Sequence, residues 1–185
     1  MTFAHYGIGI PFDALAQNLV NSYDNTRTPP EYLQTTHDLG AFLAQHGLPA
    51  KRVSAADVEA ARLLRDRVRG VFEANGARQI IGLVNALAGG ARVGFQVESR
   101  RQSVAVQWHV DDASNLIERL QSAVAINLAS LLERFGVERL RVCETPPCRD
   151  VFIDVSKNGA RRYCGTTCAN RRRVAIFRER HHRER

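Results

Sequence analysis

Apolar side chains recur every three or four positions through most of the first 138 residues, the period of a helix that buries one face. Phe12, Leu15, Leu19 and Tyr23 outline a first helix, stopped by Thr28-Pro29-Pro30. A second starts near Thr36, packs Leu39, Phe42 and Leu43, and ends at Gly47-Leu48-Pro49, where glycine terminates and proline prevents continuation. Ser54 followed by Asp57 has capping-box spacing, and Val58, Ala61, Leu64, Val68, Val71 and Phe72 give the third helix its apolar face. Ile80, Leu83, Val84 and Leu87 mark a short fourth. The period then drops to two. Val93, Phe95 and Val97 alternate with polar neighbours, as do Val104, Val106, Trp108 and Val110, with Ser99-Arg100-Arg101-Gln102 between them, which is a hairpin signal. Asp111-Asp112 can cap a long amphipathic helix from Ala113 through Leu116, Leu120, Val124, Leu128 and Leu131 to Phe135, ended by Gly136. Residues 1–138 therefore read as a mostly helical α+β domain with a two-stranded ribbon.

From residue 139 the pattern changes. Val151, Ile153 and Val155 alternate with Phe152 and Asp154, Ser156-Lys157-Asn158-Gly159 reads as a turn, and Arg161-Arg162-Tyr163 reads as the return strand. Two cysteine pairs frame this hairpin: four residues separate Cys143 from Cys148, three separate Cys164 from Cys168, and fifteen lie between the pairs. Short-spaced pairs can each supply two ligands to one tetrahedral zinc, so these four residues are the expected metal ligands. The alternatives are two disulfides, disfavoured in a reducing compartment, and a CxxC redox site, disfavoured by the spacings. Four thiolates close the coordination shell, so the zinc, one per chain, is expected to be structural rather than catalytic. A helix from the second pair through Asn170 completes a small treble-clef-like finger over residues 139–185, with Val174 and Phe177 expected to pack onto the knuckle.

Composition sharpens this division. The net charge is +7, yet residues 1–138 carry 13 basic and 14 acidic side chains while 139–185 carry 13 and 5. Only two of the 26 basic residues are lysine, which a genomic codon bias can explain, but codon bias does not cluster charge. Arg171, Arg178 and Arg185 make one stripe on the last helix, and Arg161 and Arg162 extend the cationic surface. Some of these arginines can serve to neutralise the formal −2 of a four-thiolate zinc site, but 13 exceed that need, so an anionic partner is expected. The chain lacks a signal-peptide pattern and an apolar run near the ~20 residues of a membrane span, so a cytoplasmic location is expected. No phosphate loop, nucleophile elbow or His-Glu-x-x-His is present, His5, His37, His46 and His109 are scattered, and no enzymatic activity is expected. Asn21, Arg65, Arg69 and Asn85 are polar positions on otherwise apolar helices, either solvated or hydrogen-bonded between helices, or, for Asn21, Arg65 and Asn85, gathered around a small ligand.

The segment Leu140-Arg141-Val142-Cys143 through Phe152-Ile153-Asp154-Val155-Ser156, then Arg161-Arg162-Tyr163-Cys164 and Cys168-Ala169-Asn170-Arg171, resembles the CGNR zinc finger. Upstream, Leu19-Val20-Asn21, the Asp38-Leu39 helix ending in Gly47-Leu48, Ala61-Arg62-Leu63-Leu64-Arg65 and Asn85 resemble the ABATE domain that precedes that finger. Ala169 stands where the family's naming tetrad has glycine. The resemblance implies a bacterial, stress-related transcriptional regulator whose finger contacts DNA and whose upstream domain senses an effector.

The expected function is thus DNA-binding transcriptional regulation. Arg171, Arg172, Arg173 and Arg178 would contact phosphates, with Arg161 and Arg162 beside them, and Asn170 would cap the helix or reach a base or sugar. A single finger reads few bases, so a homodimer is expected, with the helical domain as sensor or dimerisation module. Two rivals stand beside this: an RNA-binding protein using the same basic face, for which Tyr163 and Phe177 offer few stacking surfaces, and a small-molecule-binding or enzymatic helical domain with the finger as docking module.

Overall fold

Local hydrogen bonding at the helix ends decides where the elements start and stop. The computed structural model describes residues 15–91, 93–100, 103–110 and 115–183. Helix α1 spans Leu15–Val20 and closes in a tight turn, in which Ser22 Oγ donates to Leu19 O at 2.7 Å and the Tyr23 N–H points to Val20 O. Tyr23 therefore lies beyond the helix, bridged to Glu31 and 40% exposed, instead of on its buried face. Phe12 lies outside the described residues. In α2 (Thr36–Gln45) the Thr35 hydroxyl accepts the Asp38 N–H while the Asp38 carboxylate accepts the Thr35 N–H, a complete capping box. Its far end is a Schellman turn: Gly47 takes φ 71°, its N–H donates to Ala44 O, and the Leu48 N–H donates to Leu43 O at 2.8 Å. The Ser54–Asp57 box starts α3 (Ala55–Glu73) as its spacing suggests, and α4 covers Ala77–Ala88. The long helix α5 (Leu116–Phe135) is capped by Asn115, whose Oδ1 accepts the Glu118 N–H at 2.9 Å; Asp111, Asp112 and Ala113 lie outside the described residues.

Helix α3 packs against α1, α2, α4 and α5. Leu15, Leu19, Leu39, Leu43, Leu64, Val68, Leu120 and Leu128 fill the space between them and are sealed from solvent. Strands β1 (Val93–Arg100) and β2 (Ser103–Val110) pair antiparallel with Phe95 opposite Trp108 and Val97 opposite Val106, so the alternating apolar positions share one face. Arg101 and Gln102 of the connection lie outside the described residues.

After a 3-10 turn at Val137–Arg139, β3 (Leu140–Val142) pairs antiparallel with β4 (Val151–Ile153). The partner of β4 is therefore β3, and Arg161-Arg162-Tyr163 forms no strand. Asp154 is the reason. Its fully buried carboxylate accepts the Ser156 N–H at 2.9 Å, the Ser156 hydroxyl at 2.5 Å and the Arg161 N–H at 2.8 Å, folding 154–161 into a closed loop. Val155 consequently leaves the alternation and is exposed. The turn at Gly159 needs its glycine: φ is +61°, and a Cβ there would stand 2.9 Å from Arg139 Nη1, which bonds to Asp154 O and Ser156 O.

The β3–β4 ribbon belongs to the helical core. Leu140, Val151 and Ile153 join the same buried cluster as the helices. Asn21 at the end of α1 acts like a strand residue: its Nδ2 donates to Val151 O at 2.9 Å and its Oδ1 accepts the Val151 N–H at 2.8 Å. Arg69 of α3 donates to both Val20 O and Arg149 O.

Candidate metal centre and basic face

The two halves of the cysteine cluster come from different local structures. Beyond β3, the Cys143 N–H donates to Asp150 O at 2.8 Å and the Cys148 N–H to Thr145 O at 2.9 Å, so the chain turns back with both sulfurs inside the knuckle. Cys164 precedes helix α6 (Thr166–Arg183), and Cys168 lies in its first turn. Thr145 ties the halves together, its buried hydroxyl donating to Cys168 O at 3.1 Å. Cys143, Cys148 and Cys168 are buried, and Cys164 is half-buried.

All four sulfurs lie within 4.8 Å of one another. Cys148 Sγ stands 3.7 Å from Cys164 Sγ, which stands 3.6 Å from Cys168 Sγ. A tetrahedral zinc with bonds of about 2.3 Å has sulfur–sulfur edges of about 3.8 Å, so the cage fits that ion, whereas a disulfide needs about 2.05 Å. The electrostatics fit too. Burial pushes the Cys148 thiol up to about 12 and raises Cys164 as well, with the Cys168 hydrogen bond adding to it. Burial works against the Cys143 thiolate also, but the backbone N–H groups of Cys164 and Thr145 together with the Cys164 and Cys148 side chains outweigh it and bring that thiol below its ordinary value. A divalent cation supplies the charge this buried thiolate set lacks.

The basic residues divide into committed and available groups. Arg161 is committed: its guanidinium lies 4.8 Å from the centre of the Phe152 ring, and it donates to Tyr163 O at 2.8 Å and to Cys164 O. Arg162 pairs with Glu144, whose own N–H donates to Arg162 O at 3.1 Å. The Arg162 hydrogen bonds, and then the charges of Arg162, Arg141 and Arg172, hold the Glu144 carboxyl below its usual range. On α6, Arg172 faces Glu179 at 3.5 Å and Arg173 donates to Asn170 Oδ1 at 3.3 Å. Asn170 thus lies inside the helix and does not cap it. Arg171 and Arg178 are exposed, without an ion-pair partner among the described residues. Arg185 lies outside them. Val174 and Phe177 do not pack onto the knuckle: they are 48% and 61% exposed, and the Phe177 ring meets His181 at 4.1 Å. Among the described residues, Tyr163 and Cys164 are the partly buried apolar neighbours packed against the three buried cysteines.

Asn21, Arg65 and Asn85 are not gathered around one cleft. Both ends of the Asn21 amide are taken by Val151. Arg65 is buried and donates to both Glu31 carboxylate oxygens at 2.7 Å and to Ser22 Oγ at 3.0 Å. Asn85 is exposed on α4. A cleft of about 500 Å³ between α1 and α2 is lined by Asn21 but by neither of the others. Sequence reasoning missed Asp154 and Glu144. The Asp154-x-Ser156 spacing is a legible turn signal, but the partner of Glu144 lies 18 residues away and only folding brings it near.

A family model described as "Putative stress-induced transcription regulator" (ABATE) matches residues 13–134, more than half of the chain, and the CGNR zinc finger matches residues 139–181. No curated protein matches the chain. The finger match and the convergent sulfurs identify the cluster as a site for one structural zinc.

Proposed function

The chain belongs to the ABATE family, and from that premise we propose that it is a DNA-binding transcriptional regulator whose zinc finger presents α6 to the phosphate backbone. The observation that carries this reading is the pair of exposed, uncommitted guanidiniums of Arg171 and Arg178 on a helix whose first turn holds Cys168. Zinc then fixes where the helix starts, and the cations follow within a few residues. Arg172, Arg173 and Arg162 supply further charge once their intramolecular partners exchange for phosphate. In this reading the helical domain is a sensor or dimerisation module. Its α1 and α3 hold the zinc ribbon through Asn21 and Arg69, so a change in their packing reaches the finger directly.

Salt titration of binding to duplex DNA tests the proposal. Affinity should fall linearly on a log–log plot, and Arg171→Gln or Arg178→Gln should each flatten the slope by about 1. An affinity indifferent to salt contradicts it. One observation favours RNA as a second reading: the exposed Phe177 ring among arginines is a stacking surface for an unpaired base. Competition between duplex DNA and single-stranded RNA separates the two.

A further inference from the structure

Asp38, Ala41, Phe42, Gln45 and His46 recur at helical spacing along one side of α2 and its C-cap, and they line the cleft of about 500 Å³ that α1 walls opposite with Asn18 and Asn21. At a rise of about 1.5 Å per residue, the groove from Asp38 to His46 is about 12 Å long. Small-molecule sites have volumes of about 300–1,000 Å³, so the size fits. Its chemistry changes from end to end. The Asp38 carboxylate accepts the Gln34 N–H at 3.1 Å, the Thr35 N–H at 2.8 Å and the Thr35 hydroxyl at 2.9 Å, all on Oδ2. No described residue donates to Oδ1. Ala41, Phe42 and Leu33 make the middle apolar. His46 closes the far end and is 3% exposed; its Nδ1 has no hydrogen-bond partner among the described residues, and its Nε2 meets Asn18 Nδ2 only at 3.5 Å. A buried polar atom left unmet in the wall of a cleft calls for an occupant.

Charge selects the occupant. Among the described residues that line the cleft, Asp38 is the only acid, and no arginine or lysine joins it. Three guanidiniums touch lining residues from outside: Arg27 lies over the Tyr32 ring at 5.2 Å, Arg62 donates to Leu33 O, and Arg65 donates to Ser22 Oγ. Each is already paired with an acid, Arg27 with Asp24, Arg62 with Glu31 and Glu59, and Arg65 with Glu31. The Thr35 hydroxyl and N–H hold the Asp38 carboxyl below its ordinary value, so it stays ionised at neutral pH, and burial pushes the His46 imidazole down, so it stays neutral. An anion entering the groove would meet a carboxylate and no free cation, whereas an ammonium meets an oxygen that nothing else uses. The apolar middle, with the Phe42 ring, suits a flat hydrocarbon body. Asn18 and the neutral imidazole offer both a donor and an acceptor to a polar tip.

We propose that the groove between α1 and α2 binds a small organic cation, its ammonium on Asp38, its apolar body along Ala41 and Phe42, and a polar tip at Asn18 and His46. The site deepens the sensor reading of the helical domain and rests on it only for what binding does to the finger. That link runs through Asn21, which lines the groove and also holds both the N–H and the carbonyl of Val151 at the base of the zinc ribbon. A ligand seated against α1 therefore acts on the residue that joins the helical domain to β4.

The experiment titrates the zinc-loaded full chain with two probes of the same shape, tyramine, which carries an ammonium, and p-hydroxyphenylpropionate, which carries a carboxylate, and follows backbone amides by NMR. Tyramine should shift the Ala41, Phe42 and His46 amides and bind at least several-fold more tightly than the carboxylate. Asp38→Asn, which keeps an oxygen for the Thr35 cap, should remove that preference. Ala41→Phe, at an exposed helical position, fills the middle of the groove and should abolish tyramine binding with the helical circular dichroism unchanged. Tyramine that leaves the wild-type amides unmoved, binds no better than the carboxylate, or still binds in both folded variants overturns the site. Duplex DNA affinity and the Val151 amide are read with and without tyramine. Shifts confined to the groove, with both of these unchanged, keep the site and remove the sensor reading; a chain that ignores DNA altogether removes the regulatory reading and leaves the site standing.

Discussion

Arg65 looks like a ligand-seeking cation in a list of residues, and its surroundings make it an internal strut. Its guanidinium is 5% exposed and gives both terminal nitrogens to Glu31. Burial alone would push the Glu31 carboxyl up, but the Arg65 hydrogen bonds, the Leu33 N–H and the charges of Arg65 and Arg62 outweigh it and hold it below its ordinary value. A carboxyl lowered on folding stabilises the protein fully above its unfolded value near 4.5, and that stabilisation is lost as pH falls through the lowered folded value. Arg65→Ala, which leaves Glu31 only the Leu33 N–H and the charge of Arg62, should cost about 1–3 kcal/mol in denaturant unfolding. An unchanged midpoint would make Arg65 a surface residue in function. Asp154 is the corresponding strut of the finger. Burial raises its pKa, yet the Ser156 hydroxyl and the Ser156 and Arg161 N–H groups prevail and lower it, so its contribution also disappears on the acid side. Asp154→Ala should cost about 1–3 kcal/mol. Because the Arg161 arm leads into Cys164, the same variant should surrender zinc to a chelator faster than wild type.

Among elements, α6 departs most from the amphipathic expectation. A helix that packs through Val174 and Phe177 would lose about 3–5 kcal/mol on Phe→Ala substitution. Both side chains are instead exposed, so Val174→Ala and Phe177→Ala should each change stability by less than about 0.5 kcal/mol, measured by thermal or denaturant unfolding. What holds α6 is its first turn, where Cys168 joins the zinc cluster and its carbonyl accepts the Thr145 hydroxyl. Metal removal should therefore release the helix from its anchored end, seen as a fall in helical circular dichroism that zinc restores. Strand β4 behaves oppositely, since Val151 and Ile153 are buried with the helices and do not depend on the metal.

At the scale of the whole molecule, the boundary near residue 138 is continuous in packing although charge and pattern change across it. The β3–β4 ribbon carries two cysteines at its tip and three core residues along its length. Hydrogen exchange after zinc removal should show the Val151 amide, held by Asn21 Oδ1, still protected while the Ala169 amide, which donates to Gly165 O, exchanges freely. Asn21→Ala should expose the Val151 amide with zinc still in place. The Ser54–Asp57 capping box, the terminating glycine at Gly47, the long apolar faces and the cysteine spacing were legible because each is fixed by side chains within a few positions of one another. The false return strand at 161–163 was read from spacing alone, and the loop closed by Asp154 overrode it. The sequence by itself determined the helices, the β1–β2 hairpin, the zinc ligands and the segregation of charge, all of which are written in short-range periodicity or counting. Only the tertiary structure decided that β4 pairs with β3, that Asn21 and Arg65 are spent on internal contacts, that Val174 and Phe177 of α6 stay exposed, and that Glu144 pairs with Arg162. Those outcomes depend on groups 9 to 130 positions apart competing for the same hydrogen-bond partners, and that competition is resolved only when the chain has folded.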